Sequence, residues 1–191
     1  MDNGHVIEKK IMRELEKRLP EIIEHSWSNR IEGMMESTPG QGSFDKILLL
    51  IDQNLSDEKF SDLSGCMMNA LRCCRQYKNT KIRIKFWDGE YGNDRFMFQK
   101  TVREMLASLQ MNPTRSGTQD DLESFLREEV TRKKCPLILI LADINLTEMI
   151  QNTERILYKK LITLTWNNGQ EIKPVKSGVS IFTHVKKDIG E

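Results

Sequence analysis

From residue 46 onward the chain alternates short apolar runs with longer amphipathic stretches. KILLLI (46–51) and PLILILA (136–142) are almost unbroken by polar residues, KIRIKFW (81–87) alternates, and DRFMFQ (94–99), LITLTW (161–166) and VSIFTHV (179–185) are further strand candidates. Between them Phe60, Leu63, Met67, Leu71, Cys74 and Tyr77 recur at helical spacing, and residues 101–109, 121–130 and 147–159 form further helical segments. Strands that are apolar on both sides must be covered on both sides. The pattern therefore predicts a three-layer α/β/α fold around a mostly parallel, doubly wound, Rossmann-like sheet. In the last third, Asn168-Gly169 is a tight-turn signal and predicts a hairpin that places EIKPV (171–175) as an antiparallel element at the sheet edge.

The first forty residues follow a different rhythm. Ile7, Ile11, Leu15 and Leu19 recur every four residues among charges, which predicts an amphipathic helix that Pro20 ends or restarts. Ile23, Trp27, Ile31 and Met34 form a second stripe, and the turn-forming STPGQGS (37–43) reads as a linker. The expected organisation is a helical extension and linker over residues 1–43 and an α/β domain over 44–191. The extension is expected to pack on that domain, with self-association or partner binding through its stripe as the alternative.

The 191 residues suit one substantial core plus an extension. Lys and Arg number 29 against 28 Asp and Glu, so the net charge of +1 argues against a broad polyanion-binding surface and leaves only a local patch open. The apolar runs are too short to span a bilayer. The opening MDNGHVIEKK lacks the apolar core of a secretory leader, so a cytoplasmic, non-membrane protein is expected. Cys66, Cys73, Cys74 and Cys135 form no pair of C-x-x-C motifs and read as ordinary thiols of a reducing compartment.

Candidate chemistry lies at the strand ends. Ligands of open parallel sheets collect beyond the carboxyl ends of the strands, and the two most apolar strands both finish in Asp. LLLIDQNLS places Asp52, Asn54 and Ser56 in one loop, and LILILADIN places Asp143 in another. Two carboxylates with amide and hydroxyl oxygens suit Mg²⁺ or Mn²⁺. Each residue has an alternative role as a helix cap, Ser56 for the helix that follows it above all. A third polar loop, Ser116-Gly117-Thr118, also opens a helix.

In these loops residues 44–184 resemble the von Willebrand factor A family. Its metal-ion-dependent adhesion site has an Asp-x-Ser-x-Ser loop after the first strand, a Gly-Gly-Thr-like loop before a later helix and an Asp after the fourth strand, commonly followed by Gly. Asp52, Asn54 and Ser56 fall on the first loop, Thr118 on the threonine and Asp143 on the last carboxylate, with Asn54 replacing the first serine and Ile144 replacing the glycine. The resemblance implies that Ser56 and Asn54 touch an ion directly, that Thr118 completes the shell directly or through water, and that Asp52 and Asp143 hold coordinated waters. An open coordination position would then take a carboxylate from a partner protein. The expected role is a protein-interaction or scaffold module rather than an enzyme, since no nucleophile and base pair is visible and none of His5, His25 and His184 falls beside these loops.

The main rival is a metal-dependent ribonuclease. LLLIDQNL and LILILAD also resemble parts of PIN or NYN-type nuclease domains, in which Asp52, Asn54, Asp120 or Asp121, and Asp143 would organise ions that activate water, with Arg115, Arg132, Lys133 and Lys134 on phosphates. Asp120 and Asp121 are equally explained as charges that favour a helix amino terminus, and the basic run as charges at a helix carboxyl end. An aspartyl nucleophile of the haloacid dehalogenase kind would need Asp where Asn54 stands, and no phosphate-binding glycine motif is present. Trp87 and Tyr91, near one sheet edge, are either core and rim packing or aromatic anchors for a protein partner.

Overall fold

The computed structural model describes residues 3–32, 46–87, 93–114, 117–133, 135–167 and 171–185. Its elements in chain order are α1 (Asn3–Glu32), β1 (Lys46–Asp52), α2 (Asp57–Cys73), β2 (Lys81–Trp87), β3 (Asn93–Phe98), α3 (Gln99–Ala107), α4 (Gln119–Arg127), β4 (Ile138–Ala142), α5 (Ile144–Asn152), α6 (Arg155–Tyr158), β5 (Leu161–Asn167) and β6 (Ser180–Val185). A 3-10 turn (Arg75–Tyr77) follows α2, and a π-helical turn (Glu128–Arg132) extends α4.

The six strands lie in the order β3-β2-β1-β4-β5-β6, every neighbouring pair parallel except β2 and β3. The alternation of side chains along β1 explains its unbroken apolar run. Ile47, Leu49 and Ile51 enter one core with α1, α2 and α3, while Leu48 and Leu50 enter a second core with α4, α5 and α6. This is the expected three-layer α/β fold with a largely parallel sheet and a Rossmann-like, von Willebrand factor A-like topology. The chain leaves β1 toward β2 on one side and later returns to lay β4 on the other. The carboxyl ends of β1 and β4 therefore flank the topological switch point, where open sheets of this kind form their crevice.

The part of the amino-terminal stripe from Ile7 to Leu15 finds its surface within the chain, while the side chains of Leu19, Ile23, Trp27, Ile31 and Met34 lie outside the described residues. Ile7, Ile11 and Leu15 are buried in the first core, the Tyr77 hydroxyl donates to the Leu15 carbonyl at 2.7 Å, and Arg18 bonds Glu14 and Ser180. α1 runs unbroken through Pro20, correcting the expected stop. Proline removes one backbone donor and crowds the preceding turn, but it leaves the turns on either side free to form. The linker at 37–43 lies outside the described residues.

Two further expectations change. The segment 147–159 is not one helix but belongs to α5 and α6, divided at Thr153, whose backbone is extended. EIKPV forms no strand: the Ile172 amide donates to Thr183 Oγ1 and the Val175 amide to Gln151 Oε1, so side chains take the place of a ladder. Pro174 also lacks a donor for one. The antiparallel edge strand is β3, at the opposite side of the sheet. Among the described residues, no helix is long and apolar enough to cross a membrane.

Candidate functional site

Parallel register brings Leu48–Ile51 beside Ile138–Leu141, so Asp52 ends β1 next to the point where β4 gives way to Asp143. Asp52 is only 1% exposed. Its Oδ1 accepts the Asn54 amide at 2.9 Å and its Oδ2 accepts the Asp143 amide at 3.1 Å, so one carboxyl group ties together the loops that follow the two central strands. The Asp143 carboxyl lies near enough to raise the proton affinity of Asp52. Asp143 caps α5, its Oδ1 accepting the Leu146 amide at 2.9 Å, and the Thr147 hydroxyl links the Asp143 carbonyl (2.6 Å) to Thr165 Oγ1 (2.9 Å).

Burial and the nearby, negatively charged Asp143 carboxyl push Asp52 up to about 7, against the lowering effect of the two amides. The dominant cause is loss of water around a charge that the low-dielectric crevice solvates poorly. A raised carboxyl at a switch point is a recognised mark of a functional position.

The remaining predicted ligands are differently placed. Ser56 caps α2, accepting the Lys59 amide at 3.4 Å, and Asn54 is half-buried between it and Asp52. Thr118 is exposed and forms a reciprocal capping box with Asp121. Its hydroxyl accepts the Asp121 amide at 3.2 Å and donates to Asp121 Oδ2 at 2.8 Å, while the Thr118 amide donates to the same oxygen at 2.9 Å. These bonds hold the exposed Asp121 carboxyl below its usual range. Ser116, Arg115, Lys134 and Tyr91 lie outside the described residues.

Of the two roles read for Trp87, the structure shows packing rather than an exposed anchor. The residue is 5% exposed and meets Phe125 edge-on, ring centroids 6.3 Å apart, because α4 closes over the end of β2. The cysteines carry no nucleophile among their buried members: burial pushes Cys66 up to about 12 and Cys74 and Cys135 up to about 11. Cys73 is exposed.

Sequence reasoning missed two residues at the same rim. Gln53 is 5% exposed and its Oε1 has no hydrogen-bond partner. His184 stacks on Trp166, centroids 4.8 Å apart and planes 10° from parallel, with its Nδ1 buried and unpartnered. The strand-end rule that selected Asp52 and Asp143 also reaches the ends of β5 and β6. Gln53 directly follows Asp52 and His184 lies one residue before the end of β6, so the rule applied along every parallel strand reaches both.

The donor chemistry at the switch point fits a hard divalent cation in part. Asp52 is buried where charge is unfavourable and the half-buried Asp143 lies beside it, so a cation would relieve the desolvation of Asp52 and the repulsion between the two. Among the described residues no group of three or more His, Cys, Asp and Glu assembles, so further ligands would be neutral oxygens. Set against family models, curated proteins and solved structures, the chain finds no match in any of the three.

Proposed function

We propose that this chain is a protein-interaction module whose recognition site is the crevice at the carboxyl ends of β1 and β4, built to hold Mg²⁺ or Mn²⁺. The supporting observation is the convergence of Asp52 and Asp143 at the switch point, with Asp52 raised to about 7. Asp52 and Asp143 would hold the ion, directly or through water, with Asn54 and Ser56 in the loop after β1 as neutral oxygen ligands. Thr118 would join only by giving up part of its bonding with Asp121. A bound ion supplies a positive charge that attracts a partner's carboxylate. The chain's own part is to keep the two loops fixed: Asp52 bridges them, and the caps on α2 and α5 set the directions in which Ser56 and Asp143 emerge.

The von Willebrand factor A resemblance supports this reading through the same strand-end residues. The ribonuclease reading has less support. Asp121 is committed to its capping box, and no third acid joins the Asp52–Asp143 pair among the described residues. The test is cross-linking of the full chain to its cellular partners in Mg²⁺ and in chelator, native protein beside Asp52→Asn. Capture of a partner that requires both the ion and Asp52 supports the proposal. Capture insensitive to both, or RNA cleavage lost with Asp52→Asn, overturns it.

A further inference from the structure

The opposite end of β1 presents a different surface. Met97 turns into the core beneath α3, so its neighbours Phe96 and Phe98 face the other side of β3. They remain 38% and 60% exposed, and no described helix covers them fully. Cations gather on the rings. Lys46 Nζ lies 5.3 Å from the Phe96 centroid, Lys81 Nζ lies 5.0 Å from that of Phe98, and the Arg83 guanidinium lies 5.5 Å from that of Phe96.

Lys46 and Lys81 are also direct cross-strand partners. Like charges facing each other across a ladder repel. Among the described residues neither lysine pairs with a carboxylate; Arg83, by contrast, is neutralised by Glu129. Two exposed rings two residues apart on a sheet face, beside two ammonium groups that no described carboxylate pairs with, complement a ligand that alternates flat apolar surfaces with negative charges.

We infer that the Phe96–Phe98 face of β3, with Lys46 and Lys81, binds single-stranded nucleic acid, bases stacking on the rings and phosphates meeting the lysines. An acidic peptide added as a seventh strand would satisfy the same charges, but it needs a regular edge. The β2–β3 ladder shifts from Ile82↔Met97 to Ile84↔Asn93, four residues of β3 against two of β2, and such a bulged edge is a poor template for another strand. Stacking uses the face and does not need the edge. The near-neutral chain provides no broad attractive field, so binding rests on this patch and is modest, with Kd of about 1–100 µM.

The test is fluorescence anisotropy of labelled ten-nucleotide oligouridylate and oligothymidylate with the full chain at 50 and 200 mM salt. Two lysine contacts predict a logarithmic salt slope of about −1.4, which Lys46→Ala with Lys81→Ala abolishes. Phe98→Ala weakens binding about 5- to 100-fold, and Phe98→Tyr, which keeps the ring, restores it. Asp52→Asn, at the far end of β1, leaves it unchanged. The inference is overturned if neither oligonucleotide binds at 200 µM protein. Binding unaffected by Phe98→Ala, or equal competition by a duplex or by polyglutamate, also overturns it, because either would mean simple charge attraction.

Discussion

Replacing Asp52 by Asn keeps the side chain's shape and removes its proton equilibrium. In the native protein Asp52 rises from 3.8 to about 7, chiefly through burial. The folded chain therefore binds a proton that the unfolded chain has released between roughly pH 4 and pH 7. The stabilising effect of that proton is complete below the unfolded value and is lost as pH rises through the folded one. About three pH units at ~1.4 kcal/mol each give a loss of about 4 kcal/mol across the window. The amide cannot accept from both backbone N–H groups as the carboxyl does, which costs about 1–2 kcal/mol at any pH. Asp52→Asn should then be about 1–2 kcal/mol less stable than the native protein near pH 4 and about 2–3 kcal/mol more stable at pH 8. Urea unfolding of both proteins at intervals from pH 4 to 8, in chelator, measures the crossing. A constant offset with no crossing would refute a neutral, desolvated Asp52.

The other expectations concern the scaffold. Glu129 is 1% exposed and binds Arg83 and, at 2.8 Å, Lys133, so Glu129→Gln should lower stability by about 3–5 kcal/mol, while the double change Arg83→Met, Glu129→Leu recovers most of it in the same urea assay. Leu15→Ala should cost about 2–5 kcal/mol, because this fully buried side chain joins α1 to the first core. Circular dichroism melts would show only the small effect of a surface change if α1 were a detached arm. Thr118→Ala should cost about 1 kcal/mol through loss of the α4 cap, and a melting temperature unchanged within error would contradict the capping box.

The central strands were legible because burial on both faces leaves no room for polar residues: the runs at 46–51 and 136–142 identify β1 and β4 almost to the residue. Asp52 and Asp143 followed from where those runs stop. Their direct linkage was not legible, since it depends on which strands become neighbours and in what register. The rhythm of KIRIKFW implied a half-exposed strand, yet Arg83 is buried because the π-helical turn after α4 carries Glu129 over it. That contact spans 46 residues and leaves no local trace. Pro20 misled in the opposite direction, as local preference for a stop yielded to a continuous helix. The capping roles of Ser56, Thr118 and Asp143 were readable from sequence, because a cap needs only residues three or four apart.

Whether the Asp52–Asp143 pair is a cation site is tested most directly by isothermal titration of Mn²⁺ into the full chain at pH 6.5, in two buffers of different ionisation enthalpy. Because an ion competes with the proton on Asp52, the expected result is one ion per chain with release of a fraction of one proton, and loss of both signals in Asp52→Asn. No uptake at millimolar Mn²⁺, or uptake that persists unchanged in Asp52→Asn, would contradict the account.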